Sequence, residues 1–290
     1  MDYFTTLKIL PASIAIPSSI RLIAKSLQLF SSKLTVIFTD KLFTTPVNFS
    51  VPKREQVMWE SAQKKRVKVE SLGQEIDVLS YGYSTKKVLL VHGWCGRSTQ
   101  LYTLADKLLE NGCMVISFDG PAHGKSEGKR TSMIEFIETI KQLNKDFGPF
   151  VSAVGHSFGG MTLYNCANEL DLKNFVTVGS GDKVSTIIND FIKNLQLKPI
   201  IASKLHRHFN KKWNINVDDY SSSEKAKDIK TPVLVVHDTL DGDVGVSCAV
   251  NIRQKLQNGT LLITHGLGHT KILRDKATMN KVVEFIKTNL

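Results

Sequence analysis

Nowhere among the 290 residues does an apolar run approach the ~18 that a membrane-crossing helix needs. The nearest candidate, "ILPASIAIPSSI" at residues 9–20, is short and interrupted by Pro11 and Pro17. Its upstream flank carries Lys8 but also Asp2, so it does not read as a signal peptide. Cysteine is scarce too. Cys95, Cys113, Cys166 and Cys248 are scattered, and no short Cys–Cys spacing points to zinc. Cys113, in "NGCMVISF", and Cys166, in an apolar helical stretch, read as reduced core thiols. A reducing compartment, the cytoplasm, is the expectation. The chain also lacks internal repeats, low-complexity tracts and any nucleic-acid-binding signature, so no nucleic-acid partner is expected.

What is present is an ordinary globular composition, 42% hydrophobic and 22% charged, in a chain long enough for one large α/β domain. The net charge of +11 reads as a solubility feature, with an acidic substrate or a membrane surface as the sharper alternatives. Residues 1–66 stand apart as an N-terminal helical extension. In "SSIRLIAKSLQLF" the spacing puts Ile20, Ile23, Ala24 and Leu27 on one helical face and Arg21, Lys25 and Gln28 elsewhere. Ser18 or Ser19 is placed to cap it after Pro17. The expectation is a helix docked on the main domain; a cationic amphipathic helix on anionic lipid is the alternative.

From Val67 a repeating grammar begins. "RVKVESLGQEIDVLSYG" alternates apolar and polar residues around Leu72-Gly73 and predicts a hairpin. Short β-branched runs follow: "KVLLVH" (87–92), "MVISFD" (114–119), "FVSAVG" (150–155), "NFVTVG" (174–179), "PVLVVH" (232–237) and "TLLIT" (260–264). Helical segments separate them. Apolar strands of this kind, alternating with helices, predict a parallel sheet covered on both faces, with functional groups on loops at the strands' C-terminal ends. Residues 182–222 carry no such strand and predict an inserted helical lid.

One serine stands out. "SAVGHSFGGM" places Ser157 at the end of a strand and the start of a helix, in the pattern Gly155-x-Ser157-x-Gly159. The pattern alone is weak, but a sharp strand-to-helix turn would expose Oγ, and a helix N-terminus favours developing negative charge. A serine hydroxyl needs a base, and the base needs an orienting acid. His269, on a glycine-flanked loop after the final strand in "THGLGHTKIL", is the preferred base, with His265 its rival. Among the acids, "PVLVVHDTLDGDVG" offers Asp238, Asp241 and Asp243; Asp241 is preferred, and Asp182 is the outsider. Two backbone donors should face a developing oxyanion: Phe158 N–H, next to the serine, and Trp94 N–H in "HGWCGRSTQ". His92 is expected to brace that loop. His206-x-His208 lacks a carboxylate or thiol at useful spacing, so no metal is expected there.

These motifs, "HGWCG", "DGPAHGKS", "GHSFGG", "HDTLDGDV" and "GLGHT", in this order, resemble the α/β-hydrolase superfamily over roughly Val67 to Leu290. The resemblance implies a mostly parallel eight-stranded sheet with helices on both faces and a lid inserted after the sixth strand. It maps nucleophile, acid, base and oxyanion donors onto Ser157, Asp241, His269, Phe158 and Trp94. It implies no metal and no cofactor, and a small-molecule ester or thioester substrate. His123 in "DGPAHGKS" is then structural, and Ala122 stands where the family usually has glycine. Gly245 stands where proline is common. Serine at 157 argues against haloalkane dehalogenase and epoxide hydrolase chemistry, which would require aspartate. Hydrolysis of a C–C bond, acyl transfer to another acceptor, or a non-catalytic binding role on the same fold are the alternatives. The lysines and arginine of the lid, Lys183 to Lys212, raise the further expectation of an anionic substrate drawn to the pocket mouth.

Overall fold

The computed structural model describes Ile9 and residues 15–290; part of the stretch weighed as a signal peptide, residues 10–14, lies outside the described residues. Eight strands form one sheet: β1 (Gln63–Val69), β2 (Gln74–Tyr81), β3 (Lys87–Val91), β4 (Met114–Phe118), β5 (Ser152–His156), β6 (Asn174–Val178), β7 (Val233–Asp238) and β8 (Gly259–Thr264). Their spatial order is β1-β2-β4-β3-β5-β6-β7-β8. β1 and β2 are an antiparallel hairpin, and β2 pairs antiparallel with β4; every other pairing is parallel. The helices are α1 (Ser18–Phe30), α2 (Ser32–Thr44), α3 (Gln56–Ser61), α4 (Tyr102–Glu110), α5 (Met133–Phe147), α6 (Phe158–Cys166), α7 (Val184–Asn194), α8 (Pro199–Trp213), α9 (Ser222–Ala226), α10 (Ser247–Lys255), α11 (Gly268–Lys271) and α12 (Lys276–Thr288). Among the described residues, no helix is long and apolar enough to cross a membrane.

The central strands β3 to β7 read as unbroken apolar runs because both faces of the sheet are covered there. Along β3, Leu89 and Val91 pack with Phe118, Phe136 and Leu163 on one side. Val88 and Leu90 point the other way, into a layer with Leu104, Leu108, Val282 and Ile286. β7 divides in the same way, Val233 and Val235 against Leu234 and Val236. Burying strands on two faces leaves chemistry to the loops at their ends.

A third apolar cluster lies off the sheet and shows where on the main domain the N-terminal helices sit. The helical insertion after β6 is built from α7 and α8, whose inward residues Ile188, Ile192, Ile201, Leu205 and Phe209 are buried. The cover for them comes from the N-terminal helices, with Ala24 and Val36 in the same cluster. Phe43 wedges between Phe191 and Phe209, with ring centroids 5.1 and 5.4 Å away. α1 and α2 therefore dock on the insertion rather than on the main sheet. The reason is that α7 and α8 carry apolar surface that the sheet does not reach. A buried carboxylate fixes the register: Asp40 of α2 accepts from Lys212 of α8 at 2.9 Å and pairs with Arg130 at 2.7 Å. Burial works to raise its pKa, but the hydrogen bonds and charges of Arg130 and Lys212 outweigh this and hold it below the ordinary value.

The end of α2 and the chain from there to α3 then strap the loops at the sheet's C-terminal edge. Thr131 N–H donates to Thr44 C=O at 2.8 Å, and Val47 N–H to Cys95 Sγ at 3.2 Å. Buried Glu55 receives Arg97 through two N–H groups, at 2.7 and 3.1 Å, and the Thr99 hydroxyl at 2.7 Å. The first sixty residues thus reach the loop that holds Trp94.

Candidate active site

Ser157 sits between β5 and α6 at φ 53° and ψ −115°, in the left-handed half of backbone space that L-residues avoid. The turn is feasible because its neighbours are glycines. A Cβ on Gly155 would lie 2.6 Å from the Gly159 backbone, and one on Gly159 would lie 2.4 Å from the Val91 carbonyl oxygen. Ser157 N–H donates to Val178 C=O at 2.9 Å, which pins the turn to the neighbouring strand. Phe158 opens α6, so its N–H is among those a helix leaves without an intrahelical partner.

The loop after β3 lies against this turn: a Cβ on Gly93 would come within 3.2 Å of Ser157 Cβ and 2.8 Å of His156 Nδ1. The N–H groups on either side of Trp94 are spoken for. Gly93 N–H donates to Gln100 Oε1 at 2.9 Å, and Cys95 N–H to His123 Nε2 at 3.1 Å. His123 holds that acceptor nitrogen because its Nδ1–H donates to Pro121 C=O at 3.0 Å. His92 is arranged similarly, with Nδ1–H donating to Gly93 C=O at 2.7 Å and Nε2 accepting from Gly120 N–H at 2.9 Å. Burial pushes their pKa values down, His92 to about 4 and His123 to about 3. Both rings are therefore neutral fasteners that join the Trp94 loop to the loop after β4. Within that second loop Ala122 adopts φ 63°, a left-handed conformation that glycine accepts more easily.

Of the two histidines weighed as base, the structure places His269 on the preferred acid. His269 Nδ1–H donates to Asp241 Oδ2 at 2.7 Å. The other Asp241 oxygen, Oδ1, accepts the N–H groups of Asp243 and Val244, both at 2.9 Å. Burial works to raise the Asp241 pKa; the His269 hydrogen bond and charge, with the two backbone donors, more than offset this and keep the carboxyl below its ordinary value. His265 lies instead on an exposed loop, its Nδ1 2.7 Å from Thr239 Oγ1. Asp238 braces the last loops by accepting from Thr264 Oγ1 at 2.7 Å and Leu267 N–H at 3.0 Å. Asp182 accepts from Ser223 N–H at 2.9 Å and so fastens the return of the helical insertion. His206 and His208 do not converge: one faces Asp218 at 3.5 Å and the other Asp40 at 3.3 Å. Asp241, Asp243 and His269 bring ligating atoms within 4.8 Å of one another, but both Asp241 oxygens are already engaged.

One residue escaped the sequence reading. His156, next to the serine, is buried, and its Nε2–H donates to the backbone C=O of His269 at 3.1 Å. The two rings lie 4.7 Å apart, and this contact ties the His269 loop to the serine turn. Burial first, then the neighbouring His269, pushes the His156 pKa down to about 3. Its place inside the Gly-x-Ser-x-Gly pattern was visible; the carbonyl it holds, 113 residues away, was not. The lid cations also divide. Lys204 Nζ reaches Ser32 Oγ at 2.5 Å and Lys212 reaches Asp40, so these two serve the joint with α2.

Comparison with known families agrees with this fold. Residues 86–212 match the model for the alpha/beta hydrolase fold, and residues 202–289 match that of TAP-like protein. The chain belongs to the α/β-hydrolase superfamily. With the family comes the general class, a hydrolytic enzyme. No curated protein matches it significantly in sequence. Among solved structures it is similar to an esterase from Pyrococcus furiosus, with 20% identity and a TM-score of 0.67, covering 84% of this chain and 98% of that one. A membrane phospholipase A, described as a bacterial virulence factor, aligns at 15% identity and a TM-score of 0.62 over 92% of this chain and 95% of its own. The thioesterase domain of the curacin biosynthetic pathway aligns at 16% identity and 0.58, over 78% and 99%. At these identities the likeness is one of fold.

Proposed function

We propose that the chain is a serine hydrolase that cleaves an ester or thioester of a small to medium acyl substrate through an acyl-enzyme on Ser157. The observation that carries the reading is the 2.7 Å pair of His269 and Asp241, held beside the strained serine turn by His156. Asp241 keeps the proton on His269 Nδ1, which leaves Nε2 as the acceptor for the Ser157 proton. The serine oxygen attacks the substrate carbonyl, and the N–H groups of Phe158 and Trp94 receive the oxyanion. His269 returns its proton to the leaving alcohol or thiol. Water, deprotonated by His269, then releases the acid and restores the serine.

The helices α7 and α8, with α1 and α2, act as the lid. No metal or organic cofactor takes part. Four unpaired cysteines, three of them buried, support a reducing compartment such as the cytoplasm. The test is a series of p-nitrophenyl esters and acyl thioesters of graded chain length. At least one short or medium member should turn over. Ser157→Ala should abolish that turnover, and Asp241→Asn should lower kcat by roughly 10³–10⁴-fold. Turnover undiminished in Ser157→Ala, or no turnover of any ester or thioester, contradicts the reading.

A further inference from the structure

α1 and α2 bury one side against α7 and α8, yet their other sides are also apolar. Leu29 and Phe30, where the two helices join, are 82% and 86% exposed. Leu22 and Ile23 of α1 and Leu34 and Ile37 of α2 are exposed with them. Ten of the sixteen large apolar side chains left exposed among the described residues lie between Leu22 and Val57. Such a concentration costs solvation unless something covers it, and extended apolar surface of this kind marks interaction sites.

The charge around it selects the partner. Between Asp2 and Asp40 the sequence has no acidic residue, while it carries Lys8, Arg21, Lys25 and Lys33. Asp40 itself is buried against Lys212 and Arg130 and so presents no charge outward. Lys25, Lys33 and Lys41 are exposed on the same two helices as the apolar residues. Across the joint, the N-terminus of α8 lies beside α1, where Lys198 N–H donates to Gln28 Oε1 at 2.7 Å, and it adds exposed Ile200 and Lys198. Apolar side chains set among cations, with no carboxylate between them, match a lipid bilayer with anionic headgroups: the acyl boundary takes the leucines and phenylalanine, and the phosphates take the lysines.

We infer that the α1–α2 hairpin is an interfacial docking surface that seats the protein on an anionic bilayer, with Leu29 and Phe30 inserted. The test is sedimentation of the full chain with vesicles of phosphatidylglycerol and phosphatidylcholine, against vesicles of phosphatidylcholine alone. The anionic vesicles should carry the protein down and the neutral ones should not, and added salt should weaken the binding. Leu29→Glu with Phe30→Glu should reduce partitioning roughly tenfold or more, because two inserted apolar groups are replaced by charges of the membrane's own sign. Tyr83→Glu, at an exposed site just past the end of β2, should leave it unchanged. As an independent measurement, the added indole of Phe30→Trp should shift its emission to the blue on the anionic vesicles and be quenched by brominated lipid. Equal binding to both vesicle types, no binding, or no quenching overturns the inference. So does a wild-type dimer in sedimentation velocity that the Leu29→Glu, Phe30→Glu variant dissociates, since a second copy would then be the occupant.

Discussion

His92, His123 and His156 are three buried imidazoles that the fold needs neutral: each offers one N–H and, for His92 and His123, one lone pair to a specific backbone group. Their folded pKa values lie at about 4, 3 and 3, below the ~6.5 of an unfolded chain. The sign follows by linkage. Above pH ~6.5 neither state binds these protons and the stabilisation is complete. As pH falls from there toward the folded values, the unfolded chain takes up protons that the native one refuses, and stability drops. The urea midpoint should therefore fall steadily between pH 6.5 and 4, with net proton uptake on unfolding at pH 5; a flat midpoint across that window contradicts the assignment. Much at this scale was legible in the sequence. Ser157 announced itself through two glycines, and Asp241 and His269 through their loops. Which of His265 and His269 meets the acid was not decided by distance from the last strand. The chain turns after Thr264, sends His265 outward to Thr239, and brings His269 back onto Asp241.

At the scale of elements, β3 to β7 were legible because burial on both faces makes each a continuous apolar run, bounded by glycines, turns and helices, and β1–β2 by their alternation. The insertion after β6 was legible for the opposite reason, a long interval without such a run. What covers the insertion was not. The apolar face of α1 showed that the helix docks, but not on what, since the complementary faces of α7 and α8 lie more than 150 residues further along. The strap that follows α2 was equally hidden, because Glu55 is an ordinary surface-type residue until Arg97 and Thr99 close on it. A buried ion pair that loses one partner leaves an uncompensated charge. Glu55→Ala should cost about 3 kcal/mol of stability by urea unfolding and should lower kcat more than it raises KM, because Arg97 follows Trp94 in the same loop. A variant with wild-type stability and wild-type kcat would show that the strap does not hold that loop.

Over the whole molecule, the sheet brings four connecting segments together at one edge. The loop after β3 carries Trp94, the turn after β5 carries Ser157 and Phe158, and the loops after β7 and β8 carry Asp241 and His269. The N-terminal residues join this architecture twice, as helices packed on the insertion and as a strap on the loops. A strained serine turn, an oriented imidazole and a fastened amide loop support the proposal that Ser157 is the nucleophile. The most direct measurement is labelling of the intact protein with a fluorophosphonate, followed by peptide mapping. The account predicts one adduct per chain, on Ser157, absent from Ser157→Ala and retained in Ser50→Ala. A folded wild-type protein that takes no label, or takes it on a different serine, would contradict it.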